Sequence, residues 1–185
     1  MFRGMVTRTE WLEAGLDLLA DEGAPAVTIE RLTGTLGVTK GSYYHHFKGA
    51  AGYRTALLEH FEAKFTTRLI DTVEAEPAGD NKLLHLLRLV LADPASARLE
   101  IAVRAWALQD AEVRAAQTRV DEARTKYLKA LCAELELDVN PDRFAELLYL
   151  ILIGAEQVLP TMPSDALRDI YAMTLRLATG HGDLG

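Results

Sequence analysis

Between Lys40 and Lys48 the chain reads KGSYYHHFK. Two lysines, two histidines, two tyrosines and a serine fall within nine positions, with no Asp or Glu among them. Side chains of this kind donate hydrogen bonds and carry positive charge. They suit holding a polyanion better than breaking a bond. The acid-free window runs from Arg31 to Leu58 and includes Arg31, Lys40, Lys48 and Arg54, although the whole chain has a net charge of −7. Residues 1–50 contain five Lys/Arg against six Asp/Glu, so the cationic surface is local and not a matter of bulk charge. A local cationic face is what a phosphate backbone requires.

The elements that must position these residues can be read from Thr28 to Lys48, TIERLTGTLGVTKGSYYHHFK. Thr28 is a good N-cap, and Val27 and Leu32 stand at the hydrophobic-staple spacing. Ile29, Leu32 and Leu36 recur at i, i+3 and i+7, one face of a helix. Gly37 tolerates the left-handed backbone on which a helix often stops. Thr39 is a second N-cap, and a short helix begins at Lys40. Two helices joined by a short Gly-containing turn make a helix-turn-helix. Gly41 costs the second helix roughly 1 kcal/mol relative to Ala, which has a use where the helix must come close to a ligand. Phe47 is that helix's clear core anchor. Upstream, Thr7 and Glu10 form a capping box for a helix from about Arg8 to Glu22, with Leu12, Gly15, Leu16 and Leu19 as its inner stripe. It would buttress the pair as a three-helix module, with Arg3 and Arg8 near its start.

The run Gly37-Val38-Thr39-Lys40-Gly41-Ser42-Tyr43-Tyr44-His45-His46-Phe47-Lys48 resembles the recognition segment of the TetR family of transcriptional regulators. The resemblance is specific over about the first fifty residues and beyond them extends to helix count and length. It implies DNA contacts by Thr28, Thr39, Lys40, Gly41, Ser42, Tyr43, Tyr44, His45, His46 and Lys48. Lys40, Gly41, Ser42 and His45 would face base edges. Thr28, Tyr44, His46 and Lys48 would hold phosphates, and Tyr43 would either pack inward or touch a thymine methyl. The sequence departs from the family at Gly49-Ala50-Ala51-Gly52, where a polar cap and a second basic residue are usual, and at Tyr53, where leucine is common.

The remainder reads as helices throughout. A long fourth helix runs from about Ala50 to Glu74, and a loop with Pro77 and Gly79 follows. A leucine-rich fifth helix covers about Asn81 to Ala92. Asp93-Pro94 starts a sixth helix that ends near Leu108. Asp110 caps a seventh, from Ala111 to about Glu136. Asn140-Pro141 starts an eighth, to about Leu159, and Ser164 caps a ninth, to Thr179. The expected fold is all-α: an N-terminal three-helix DNA-binding domain, residues 1–48, and a C-terminal helical effector-binding and dimerisation domain, residues 49–185.

Enzyme chemistry is not evident. There is no Gly-rich phosphate loop, HExxH or GxSxG. His60, His85 and His181 lack carboxylate or His partners at ligand spacing, and adjacent His45 and His46 point apart on a helix. No catalytic residue, metal or cofactor is expected. In the family resemblance, helices four to eight enclose a small-molecule cavity whose filling moves the DNA-reading heads. Trp106, Gln109, Tyr127, Tyr149 and Gln157 combine an apolar body with a polar handle and are the expected lining; each would serve equally as a core residue with a satisfied hydrogen bond. With neither an arginine cluster nor an acidic cage in the sequence, a mostly apolar effector is expected.

Helix eight is apolar nearly all round from Leu147 to Ala155, more than one core can cover. A homodimer is therefore expected through Leu148, Ile151, Leu152 and Ala155 with Leu167, Ile170, Tyr171 and Thr174 of helix nine. That same apolar run is too short to span a bilayer, and the N-terminus has no apolar signal region. The single cysteine, Cys132, reads as a small buried hydrophobe in a reducing compartment. Together these give a cytoplasmic, ligand-responsive regulator, a repressor by family resemblance. Its partners would be a palindromic double-stranded operator, a small-molecule effector and a second copy of itself, with no membrane.

Overall fold

Local capping chemistry sets where the helices begin. In the computed structural model, which describes residues 6–77, 81–92 and 94–180, α1 is Arg8–Glu22. Its capping box is complete: Thr7 N donates to Glu10 Oε2 at 2.7 Å, and Glu10 N donates to Thr7 Oγ1 at 3.2 Å. A 3₁₀ turn, Ala24–Ala26, leads to α2, Ile29–Leu36, where the Thr28 hydroxyl accepts from Arg31 N at 3.3 Å. Gly37 stops α2 at φ 66°, in the left-handed region that a Cβ disfavours. Next come α3, Lys40–His46, and α4, which runs Gly49–Glu62, passes through a π-helical stretch at Ala63–Thr67 and continues as Arg68–Glu74. The rest are α5 Lys82–Ala92, α6 Pro94–Ala107, α7 Ala111–Ala133, α8 Pro141–Gln157 and α9 Ser164–Thr179. The described residues thus hold nine helices, counting α4 once, and no strand.

Several boundaries differ by small steps. Ser164 is the first residue of α9 and not its cap; Pro163 holds the cap position, with no side-chain bond. Helix α8 ends at Gln157, and α7 ends at Ala133. Asp110 does cap α7, its Oδ1 accepting from Glu112 N at 2.9 Å. The expectations placed on Arg3, Gly79, Asp93 and His181 lie outside the described residues.

The contacts gather into two compact units: Met1–Phe65 with Arg98–Thr118, and Thr66–Ala97 with Arg119–Gly185. The first unit is built on Trp11, Leu12, Leu16 and Leu19 of α1, Leu32 of α2, Tyr43 of α3, and Leu57 and Phe61 of α4, all buried. Gly15 is fixed by close approach: a Cβ there would lie 1.9 Å from Tyr53 Oη. That hydroxyl donates to Trp11 O at 2.7 Å, so the tyrosine that departs from the usual leucine locks α4 to α1. Carboxylates complete the unit. Glu13 accepts from Lys64 at 2.6 Å and from His60 Nε2 at 2.8 Å, a tertiary partner for a histidine that has none nearby in sequence. Arg54 meets Glu112 at 2.7 Å and Asp110 at 3.2 Å.

The second unit buries the leucines of α5 (Leu83, Leu86, Leu87 and Leu91) against Leu128 and Leu131 of α7, Phe144 and Leu148 of α8, and Tyr171 and Leu175 of α9. Tyr171 Oη donates to Leu148 O at 3.0 Å, satisfying its polar end inside the core. His85 Nδ1 stands 3.2 Å from Glu76, again a carboxylate beyond helix spacing. Cys132 is fully buried, and burial pushes its thiol up to about 11, which keeps it protonated and unreactive.

Candidate nucleic-acid interface

The short helix α3 is held from behind by aromatic packing. Trp11 meets Tyr43 edge-to-face at 5.4 Å between ring centroids, and Phe47 meets Tyr53 the same way at 4.8 Å. Tyr43 is 1% exposed and its hydroxyl donates to Gly49 O at 3.2 Å. Burial, with a smaller contribution from Tyr44, pushes that phenol up to about 12. Tyr43 packs inward and supports the helix from behind.

The opposite side of α3 is open. Lys40, Gly41, Tyr44, His45 and Lys48 are all exposed, Tyr44 at 58%. The spacing of Lys40, Gly41, Tyr44 and His45, i, i+1, i+4 and i+5, puts these four on one face of α3, and Lys48 follows just beyond its end. Ser42 is half-buried at its edge. Thr39 is exposed and its hydroxyl does not cap α3, whereas the Thr28 hydroxyl is engaged in capping α2. A Cβ on Gly41 would meet only Thr39 Oγ1, at 3.6 Å, so within the chain nothing demands glycine there. His46 stands apart from the exposed five. Its Nε2 lies 3.0 Å from Val6 O and must carry the proton, since a carbonyl only accepts. It ties the segment before α1 to the end of α3. Arg8 lies over the Phe47 ring at 5.6 Å, a cation–π contact at the same corner.

The acid-free window is not acid-free in space. Lys40 is bonded to Glu30, Arg31 to Glu22, and Arg54 to Asp110 and Glu112. Among the described residues Lys48 alone of the window's four lysines and arginines makes no ion pair. Glu30 precedes Arg31, so the window begins one residue too late to include it. The hydrogen bond from Lys40 holds the Glu30 carboxyl below the usual carboxylate range, and the same contact raises Lys40. Both side chains are well exposed, 58% for Lys40 and 67% for Glu30, so water competes with the pair.

Residues 12–52, which run from within α1 through α2 and α3 to the start of α4, match the family model described as "Bacterial regulatory proteins, tetR family". Transcriptional regulator AcuR of Cereibacter sphaeroides is 31% identical over 163 residues, covering 78% of this chain and 72% of that protein. The chain belongs to the TetR family. Solved TetR-family structures share its fold. A regulatory protein TetR from Rhodobacter sphaeroides is 25% identical with a TM-score of 0.72, covering 91% of this chain and 96% of that one. E. coli NemR in its reduced form is 21% identical with a TM-score of 0.74, covering 94% and 97%. The chain is therefore a transcriptional regulator of a family that is not enzymatic. Among the described residues no group of three or more His, Cys, Asp or Glu is placed to hold a metal ion. None of the described helices is long and apolar enough to cross a membrane.

Two further features of this TetR-family chain lie in its second unit. One is a cavity of about 60 Å³ with apolar walls from Leu91, Leu152, Met162 and Leu167 and polar groups from Ser96, Thr161, Ser164 and Glu156. None of Trp106, Gln109, Tyr127, Tyr149 or Gln157 lines it. The Tyr127 hydroxyl donates to Glu74 and the Tyr149 hydroxyl to Asp121, each at 2.7 Å, as core tyrosines with satisfied polar ends do. Trp106 is half-buried, and Gln109 and Gln157 are exposed beside helix ends.

The other feature is an apolar face on α8 and α9. Of the eight residues expected there, Leu148, Ala155, Leu167, Tyr171 and Thr174 are turned into the chain's own core, and Ile151, Leu152 and Ile170 are half-buried. The exposed face carries instead Leu147, Leu150 and Gly154 on α8 and Val158 just beyond its end, with Met173 and Leu177 on α9. Leu150 is 66% exposed and Leu177 is 75% exposed. A helix that is apolar nearly all round does not mark in its sequence which of its sides faces its own core.

Proposed function

We propose that this TetR-family regulator is a repressor that binds a palindromic operator as a homodimer and is released by a small molecule. Family membership supports the general part, since TetR-family regulators bind DNA and small-molecule effectors, generally as dimers. The observation that carries the reading is the open face of α3: Lys40, Gly41, Tyr44 and His45 exposed together on a helix braced by an aromatic core, with exposed Lys48 just beyond its end. Lys40, Gly41, Ser42 and His45 meet base edges, with Lys40 donating to guanine O6 and N7. Thr28, Thr39, Tyr44 and Lys48 hold the flanking phosphates, and His46 fixes the helix end through Val6. Residues 1–48 form the DNA-binding part and 49–185 the effector and dimer part, acting in the cytoplasm.

The dimer uses the exposed stripe of α8 and α9, completing a four-helix bundle with its copy. An effector acts by binding one head spacing better than another, and it shifts the equilibrium only by that difference, typically about 1–3 kcal/mol. A gel-shift of the full-length protein on the DNA upstream of its own gene tests the reading. A retarded band that resists non-specific competitor is expected; a folded dimer that binds no upstream fragment above competitor level overturns it.

A further inference from the structure

Helix α8 carries one glycine, Gly154, and nothing within the chain calls for it. It is not the helix cap, a position that belongs to Val158. Its φ is not positive, so no special backbone conformation requires it. A Cβ there would meet no side chain or neighbouring element within 4 Å. Glycine weakens a helix relative to alanine. It brings a gain only where something must come close to the backbone. Gly154 also belongs to a pattern. Leu147, Leu150 and Gly154 recur at i, i+3 and i+7, and all three are exposed, Leu150 at 66%. The other side of α8 is committed to the core through Phe144, Leu148 and Ala155. No Asp, Glu, Lys or Arg stands between Leu147 and Ala155, so the stripe offers a charged partner nothing to pair with.

We propose that Gly154 is a notch in the dimer interface, filled by Leu150 of the second copy. The inference rests on the reading of the chain as a homodimer and adds which residues set how closely its two α8 helices approach. A stripe that places a protruding leucine one turn from a notch is complementary to a copy of itself. In a two-fold contact, residue i meets j and j meets i, so each copy uses its knob and its notch together. Helix axes pack about 8–10 Å apart according to the side chains between them, and a glycine at the contact permits the near end of that range. Met173 and Leu177 of α9, both exposed and apolar, extend the covered surface.

Sedimentation of the full-length protein over a concentration series tests this for wild type, Gly154→Ala, Gly154→Leu, Leu150→Ala and the double variant Leu150→Ala/Gly154→Leu. Gly154→Leu should weaken dimerisation at least tenfold with helix content by circular dichroism unchanged. Leu150→Ala should weaken it as well, because the knob is shortened. The double variant should associate at least fivefold more tightly than Gly154→Leu alone, since the shortened knob leaves room for the new side chain. A role confined to the single chain would give no such rescue. Gly154→Ala serves as the mildest change: it improves α8 as a helix, so a weaker dimer from it can only reflect a filled notch. A wild-type dimer whose affinity is unmoved by Gly154→Ala and Gly154→Leu, or a double variant without rescue, overturns the proposal and leaves the dimer standing. A wild-type protein that is monomeric at micromolar concentration removes both.

Discussion

In the proposed DNA contact, Lys40 must leave or share Glu30. Both groups are exposed, so the pair is a weak restraint, yet it sets where the ammonium rests before DNA arrives. Lys40→Ala should therefore relax preference at one base-pair position, at a cost of ~1–3 kcal/mol on the preferred operator. Tyr44→Phe should weaken all operator variants about equally, since a phosphate contact carries no base information. Binding measured on a set of single-base operator variants distinguishes the two; a Lys40→Ala profile parallel to wild type would reject the base-reading role. Glu30→Gln should raise affinity for every sequence, because it removes a negative charge from the face proposed to meet phosphate. At this scale the donors were legible in the sequence and their partners were not. Lys40, Tyr44 and Lys48 announce themselves by type and spacing. Glu30 is ten positions from Lys40, and Glu13 is 47 positions from His60, so no local window pairs them.

Elements were legible where capping is local and less so where phase depends on tertiary packing. The Thr7–Glu10 box, the Asn140–Pro141 start and the Gly37 stop all stand where their residues dictate. The phase of α8 does not follow from its sequence, because eight of the nine residues from Leu147 to Ala155 are Leu, Ile, Tyr or Ala, and apolar side chains face every side. Core burial then decides which of those side chains remain for a partner. Leu150→Glu or Leu177→Glu should yield a folded monomer in sedimentation, since each places a charge in the proposed interface and nothing in the core. Leu148→Ala should instead cost about 2–5 kcal/mol of stability, as a buried truncation does. Were the Leu150→Glu protein to remain dimeric, the dimer would lie elsewhere.

The clamp between α1 and α4 has its own pH signature. Burial raises the Glu13 carboxyl, but the bonds from Lys64 and His60 outweigh it and the net direction is downward. A lowered folded-state pKa means the clamp stabilises the fold above the unfolded carboxylate value, about 4.3, and loses its effect as pH falls through the folded value. Glu13→Gln should thus lower the melting temperature near neutral pH, and the gap from wild type should close in strong acid.

For the whole molecule, charge sets how it finds DNA. A chain with net charge −7 gains little from non-specific attraction, so discrimination must come from a few well-placed cations. Lys48 makes no ion pair among the described residues, and Lys40 is free to act once it parts from Glu30. Four cations per dimer would then meet the DNA field, and at a slope of about −0.9 per neutralised phosphate log affinity should fall with log salt at roughly −3.6. If Lys40 stays with Glu30 in the complex, only the two Lys48 side chains count and the slope should be nearer −1.8. Lys48→Ala would remove one proposed phosphate contact from each subunit and should flatten either slope by about 1.8, weakening all sequences alike. The measurement is operator affinity from low to moderate salt for wild type, Lys48→Ala and Glu30→Gln. A wild-type slope near −1.8 that Glu30→Gln steepens toward −3.6 would show that the carboxylate retains Lys40 on DNA. A slope indifferent to Lys48→Ala would remove Lys48 from the phosphate contacts and leave the charge balance of the α3 face to be carried by other groups.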